Sequence, residues 1–154
     1  MTTTTKYFED FQLGEKFHIP AKTMTDAHFL FFAGMTGDNH PIHYDDEYAK
    51  TTRFGKRVAH GLLVTAITAV GASTLSTLLE GSIVAFAEQS SRFLKPVLIG
   101  DTITPELEVT ELVPKTQVGV LRLTTRVKNQ RGEIVLEGMH TYLIKKRPRA
   151  EGRE

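Results

Sequence analysis

The sequence predicts an α+β fold in which an antiparallel β-sheet wraps a long central α-helix. Three observations lead there. The run GLLVTAITAVGASTLSTLLEG opens at Gly61 and places Leu62, Leu63, Ala66, Ile67, Val70, Leu75, Leu78 and Leu79 around much of a helical circumference. A helix apolar most of the way round is a buried one. From about Gly81 the character changes to β-rich runs, and the breaks between those runs are short, so successive strands run antiparallel.

The elements follow in chain order. Phe17 to Met24 reads as a short first strand. Thr25 caps a helix opening at Asp26, whose carboxylate suits a helix N-terminus. That helix carries Phe29, Leu30, Phe32 and Ala33 and stops near Gly34, with Gly37 beyond it. Asp45 to Thr51 reads as another short helix. The long apolar helix then starts at Gly61. Downstream, SIVAFAEQSSRFLKPV, DTITPELEVTELV, QVGVLRLTTRVKN and EIVLEGMHTYLIKK read as four strands. Val118, Val120, Leu121, Leu123, Thr125 and Val127 stand against Arg122, Arg126 and Lys128. Gln-Arg-Gly between the last two runs signals a hairpin, and Ile-Gly-Asp separates the first two.

With 154 residues, the chain is most simply one domain, residues 1–154, with about 147–154 a flexible tail. Hydrophobic residues make up 40% of it, too many for a disordered chain. A net charge of +1 gives no field that points to nucleic acid or to an anionic membrane. The absence of cysteine excludes disulfides, thiolate zinc sites and a cysteine nucleophile. MTTTTKYFEDFQLGEKF lacks the basic-then-apolar pattern of a signal peptide, and the apolar run from Gly61 is too short and too rich in Thr and Ser to span a bilayer. The expectation is a cytoplasmic protein.

The stretch FAGMTGDNHPIHYDDEYAKTTRFGKRVAHG, Phe32 to Gly61, gathers glycines, a proline, histidines and aspartates between two apolar segments. A plain connector has no need of them, so the stretch reads as a catalytic loop. His40, His43, Asp45 and Asp46 form a His-x-x-His-x-Asp set of metal-ligand type. Pro41 lies inside that spacing, and no helix brings the pair to one face, so no metal is expected.

GDNHPIHYD, RFGKRVAHGLL and RFLKPVLIGDTI together resemble the MaoC-like dehydratases, the R-specific enoyl-CoA hydratases of the hot-dog fold. The likeness runs from about Phe8 to about Ile144. The Asp-x-x-x-x-His loop followed by His-Gly is the more specific part; the RFxxPVxxGD strand is shared with hot-dog proteins more widely. The resemblance implies a single hot-dog domain and a homodimer, or a higher assembly of dimers, with the two sheets joined edge to edge. It also implies reversible hydration of trans-2-enoyl-CoA to (R)-3-hydroxyacyl-CoA. No cofactor is implied, since coenzyme A is part of the substrate; acyl carrier protein is the other possible carrier.

That chemistry needs a base for water, a proton for C2 and a donor for the thioester oxygen. By resemblance, Asp38 activates the water, and His43 holds it and shares in proton transfer, with Pro41 stiffening the loop between them. The Gly61 N–H, without an intrahelical partner, receives the thioester oxygen. Asn39 and His60 are supporting residues, His60 either as a helix cap or through a bond to the loop. Read singly, Asp38 is also a turn residue after Gly37, His43 a structural histidine and Gly61 a helix start. Arg53, Lys56 and Arg57, and similarly Arg92 and Lys95, are candidates for coenzyme A phosphates, or plain solvated cations. Phe32 and Phe54, with Phe29, are candidates for the acyl pocket, or ordinary core. A hot-dog acyl-CoA thioesterase is the rival enzyme, but Gly61 to Leu79 carries no Asp or Glu. A non-catalytic acyl-thioester-binding protein has no need of a water-activating pair.

Overall fold

The computed structural model describes residues 4–148. Six strands form the sheet: β1 (Lys16–His18), β2 (Lys22–Thr23), β3 (Ile83–Phe93), β4 (Thr102–Pro114), β5 (Val118–Lys128) and β6 (Ile134–Lys145). Their order is β1-β4-β5-β6-β3, with β2 also on β4, and every pairing is antiparallel. The four long strands fall where alternation places them, because a period of two is the signal of a half-buried strand. On β5 the pattern is complete: Gly119, Leu121, Leu123, Thr125 and Val127 are buried and their neighbours are not. The hairpin between β5 and β6 turns at Gly132, whose φ of 77° is left-handed. β3 and β4, by contrast, do not pair. β3 crosses to the far edge and pairs with β6, so residues 94–101 form a connection across the sheet.

The expected first strand is two short pieces. Pro20 sits between β1 and β2 and has no N–H for the ladder. The helix α1 spans Asp26–Thr36. It runs through Gly34 and stops at Gly37, where φ is 79° and the N–H bonds the Ala33 carbonyl at 2.8 Å. The helix α2, Asp46–Lys50, starts where Asp45 accepts the Tyr48 N–H at 3.0 Å.

The region read as one long helix is three helical pieces: α3 (Gly61–Ala66), a 3₁₀ turn at Val70–Ala72, and α4 (Leu75–Leu78). The hydroxyls explain the breaks. Thr68 donates to the Thr65 carbonyl at 2.6 Å, Ser73 to Val70 at 2.7 Å and Ser76 to Ser73 at 2.9 Å. Each offers the backbone a local partner that competes with the helical ladder. The pieces still pack on the sheet. Leu75 and Leu79 join Phe8, Phe17, Leu107, Leu121 and Ile144 in one core, while Leu63 and Val64 join Phe29, Phe32, Val97 and Val135 in a second. The second core lies under α1 and α3 and carries the polar loop.

The tail expected over 147–154 is tied at its root, where Arg147 is held by Asp10 at 2.6 Å. Residues 149–154 lie outside the described residues.

Candidate active site

The site is built by the turn after α1. Gly37 ends that helix, Thr36 Oγ1 receives the Asp38 N–H at 3.3 Å, and the loop then enters a short 3₁₀ turn at Pro41–His43. Backbone bonds fasten the chain entering α3. Val58 N–H bonds the Ile42 carbonyl of this turn at 3.1 Å, and Ala59 N–H bonds the Val97 carbonyl at 2.8 Å. The chain then reaches His60 and Gly61. His60 is the residue before the first turn of α3, and its carbonyl accepts the Val64 N–H at 3.2 Å.

Asp38, His43 and His60 converge, with one ligand-type atom from each within 4.8 Å of the others. His43 donates Nδ1–H to the Val58 carbonyl at 2.6 Å. A carbonyl only accepts, so the neutral ring carries its proton on Nδ1 and keeps a lone pair on Nε2. Burial pushes the His43 pKa down; the Val58 bond pulls it up, and His60 nearby pushes it down further. The ring is thus an acceptor at neutral pH. His60 is buried, donates Nε2–H to the Asp38 carbonyl at 3.0 Å and stacks on His43, with centroids 3.6 Å apart and planes at 20°. Phe32 leans on it with centroids 4.9 Å apart, and Phe29 meets it edge-on at 6.3 Å.

A cavity of about 400 Å³ opens on Gly61. Val58, Ala59, Val64, Val97 and Val135 give it an apolar interior; Arg53, Phe54, Phe93, Leu94, Lys95 and Pro96 complete its lining. Asp38 and His43 lie outside this lining and adjoin it through His60, the residue before Gly61. The arrangement puts an exposed carboxylate, an imidazole acceptor and a glycine amide next to an apolar recess.

The other expected residues are distributed differently. Arg57 is buried, and its guanidinium is paired with Asp26 and, at 2.7 Å, with Asp46. It ties the starts of α1 and α2 together, and those bonds hold it back from a phosphate. Asn39 is exposed, and among the described residues its side chain makes no hydrogen bond; Thr36, His40 and Asp45 brace the loop instead. Phe32 and Phe29 belong to the core that backs His60, not to the cavity wall. Arg53 and Phe54 do line the cavity, with the guanidinium 4.8 Å over the ring. Lys95 lines it too while paired with Glu133. Lys56 faces an adjoining groove with Arg131, and Arg92 is exposed on β3.

The His-x-x-His-x-Asp set is dispersed: His40 Nδ1 accepts the Ile42 N–H at 3.2 Å, Asp45 caps α2, and Asp46 holds Arg57. The Asp38, His43 and His60 cluster is a poor metal cage. Two nearly parallel rings do not aim their in-plane lone pairs at one ion between them. The contributions that sequence reading missed are the Val58 carbonyl and the Phe93 ring. A backbone acceptor has no residue signature; for Phe93, the only signal was its place in the RFLKPV strand.

Comparison with known proteins agrees with this architecture. The MaoC like domain family matches residues 10–131. An (R)-specific enoyl-CoA hydratase of Rhodospirillum rubrum is 37% identical over 138 residues, covering 90% of this chain and 91% of that protein. A 3-hydroxybutyryl-CoA dehydratase of Methylorubrum extorquens is 34% identical over 145 residues, covering 94% and 88%. A solved structure from Archaeoglobus fulgidus, described as a monoamine oxidase regulatory protein, superposes with a TM-score of 0.88 at 40% identity, covering 96% of this chain and 99% of that one. The sheet with its short helices is the hot-dog fold. The match over most of its length and the shared fold place this chain in the MaoC-like domain family.

Proposed function

We propose that this chain is a hydro-lyase that adds water reversibly to a trans-2-enoyl-CoA to give the (R)-3-hydroxyacyl-CoA. The observation that carries the reading is the convergence of Asp38, His43 and His60, with Gly61, the residue after His60, lining an apolar cavity. The names of the two relatives above, a hydratase and a dehydratase of acyl-CoA thioesters, support the same class of reaction.

In this reading, water sits between the Asp38 carboxylate and the Nε2 lone pair of His43. Asp38 takes one proton as the water oxygen bonds to C3. The electron pair of the C2=C3 bond moves onto the thioester, whose oxygen rests against the Gly61 N–H. The proton then passes to C2 from the same side, so both parts of the water arrive on one face. His43 keeps its acceptor because Nδ1–H is committed to Val58, and His60 holds both partners in place. Acid–base assistance of this kind contributes roughly 10²–10⁴-fold in rate.

The same reading has two copies joining along β3. Among the described residues that strand is paired on one side only, and all of it but Ala85 and Ser91 is exposed, including Ile83, Val84, Phe86 and Phe93. Among the described residues no helix is long and apolar enough to cross a membrane. The test is the ultraviolet absorbance of crotonyl-CoA with the purified protein, followed by chiral analysis of the product. Loss of the enoyl band with the R product supports the reading. Release of free thiol from an intact enoyl chain replaces it with thioester hydrolysis.

A further inference from the structure

We propose that Phe93 is a positioning residue for the acyl thioester: its ring sets the width of the cavity at Gly61 and is what a side chain there would push against. The proposal rests on the hydratase reading only in naming the thioester as occupant. A Cβ at position 61 would stand 3.1, 3.2 and 3.3 Å from Phe93 Cζ, Cε1 and Cε2. Three ring carbons at nearly equal distance mean that the ring presents its face, not its edge, to the place a Cβ would take at position 61. Backbone strain is not the reason for glycine here, because the left-handed glycines of this chain do not include Gly61. The reason is space.

Phe93 comes from the last position of β3, so the contact joins that strand to the start of α3. A second contact joins them one helical turn deeper, where Thr65 Oγ1–H donates to Ser91 Oγ at 3.0 Å. Two residues along a strand and one turn along a helix advance by similar lengths, about 6–7 Å against 5–6 Å, so the two contacts hold β3 alongside the α3 surface. With the seam fixed at Thr65, the Phe93 ring is the adjustable element of the wall. It lines the cavity with Val64 and Val97, and its 53% exposure is that of the single chain, on the β3 edge where a second copy would join. A thioester lying against Gly61 therefore meets this ring.

The test is a double-mutant cycle on G61A and F93A, with F93L as the conservative variant and thermal melts to show that each protein folds. Binding of butyryl-CoA, which has no double bond to hydrate, is measured by calorimetry alongside crotonyl-CoA hydration. The expected result is that G61A weakens binding about tenfold or more with Phe93 present, and at least threefold less than that in the F93A background. F93A alone raises KM more than it lowers kcat, and F93L recovers most of the loss. Additive effects of the two substitutions on binding overturn the proposal, as does failure of butyryl-CoA to bind the wild type. Coupling in binding without hydration leaves the Phe93 assignment standing and removes the hydratase reading. Hydration with additive binding effects does the reverse.

Discussion

Replacing His60 by phenylalanine separates positioning from folding. The substitution keeps a flat ring of similar size against His43 and Phe32, where His60 packs with centroids at 3.6 and 4.9 Å. It removes one hydrogen bond, from Nε2–H to the Asp38 carbonyl. It also removes Nδ1, a buried nitrogen with no partner among the described residues, which offsets part of any cost in stability. Asp38 is exposed, so its freed carbonyl turns to water, and the carboxylate loses its fixed distance from His43. A hydrogen bond of this kind is worth about 0.5–1.5 kcal/mol, which corresponds to a fall in kcat of about 2- to 12-fold. The melting temperature should stay within a few degrees of wild type. His60→Ala removes the stack as well and leaves a hole against Phe29 and Phe32. It should cost on the order of 2–4 kcal/mol, read as a clear drop in melting temperature. The assay is the initial rate of crotonyl-CoA hydration with a melt on the same preparation. A His60→Phe protein with wild-type kcat refutes the positioning argument. So does one whose rate and stability fall together as far as those of His60→Ala.

Asp38→Asn and His43→Gln should each fold normally and lose roughly 10²–10⁴-fold in hydration rate. Retention of most of the rate in either one removes that residue from the water-activating pair. His43 must be neutral to keep its Nε2 acceptor for the water, and its pKa is held below 6.5. The acid limb of the rate profile should therefore lie below 6.5, with activity full above it and lost as pH falls through the folded pKa. His140 is buried between Thr68 and Tyr142 and against Phe86, and burial pushes its pKa down to about 4. The unfolded chain protonates this ring near 6.5 while the folded one does not. Stability thus falls between pH 6.5 and 4, by roughly 3 kcal/mol for this group. Urea titrations of wild type and His140→Phe at both pH values check this, the variant showing the smaller fall. Gly138→Ala should lower the melting temperature sharply, because a Cβ there would overlap the Ser90 carbonyl oxygen where β3 lies against β6. An unchanged melt would mean that the two strands part without cost.

The long strands were legible because β5 and its neighbours alternate with period two, and the starts of α1 and α2 because Thr25 and Asp45 mark them, while the end of α1 lies at Gly37 and not near Gly34. The single helix over 61–79 was an over-reading. Apolar spacing marks a buried face and not its continuity, and the hydroxyls of Thr68, Ser73 and Ser76 draw the backbone out of the ladder. Asp38, His43 and His60 belong to one sequence motif, and the structure brings a ligand-type atom of each together. Arg57 was misjudged because charge alone does not reveal Asp26 and Asp46 waiting on other elements. The pairing of β3 with β6 left no local trace either, since β4 and β5 lie between those strands in the chain.

That pairing also has a consequence for how the chain is made. β3 finds its only partner among the described strands in β6, which begins about forty residues later. At typical synthesis rates of about 5–20 residues per second, β3 emerges several seconds before any strand can cover it. During that time the backbone N–H and C=O groups of β3 that β6 will pair stand open in the crowded space outside the ribosome. Slowing translation between Asn129 and Ile134 should therefore lengthen the period in which a nascent chain needs a chaperone.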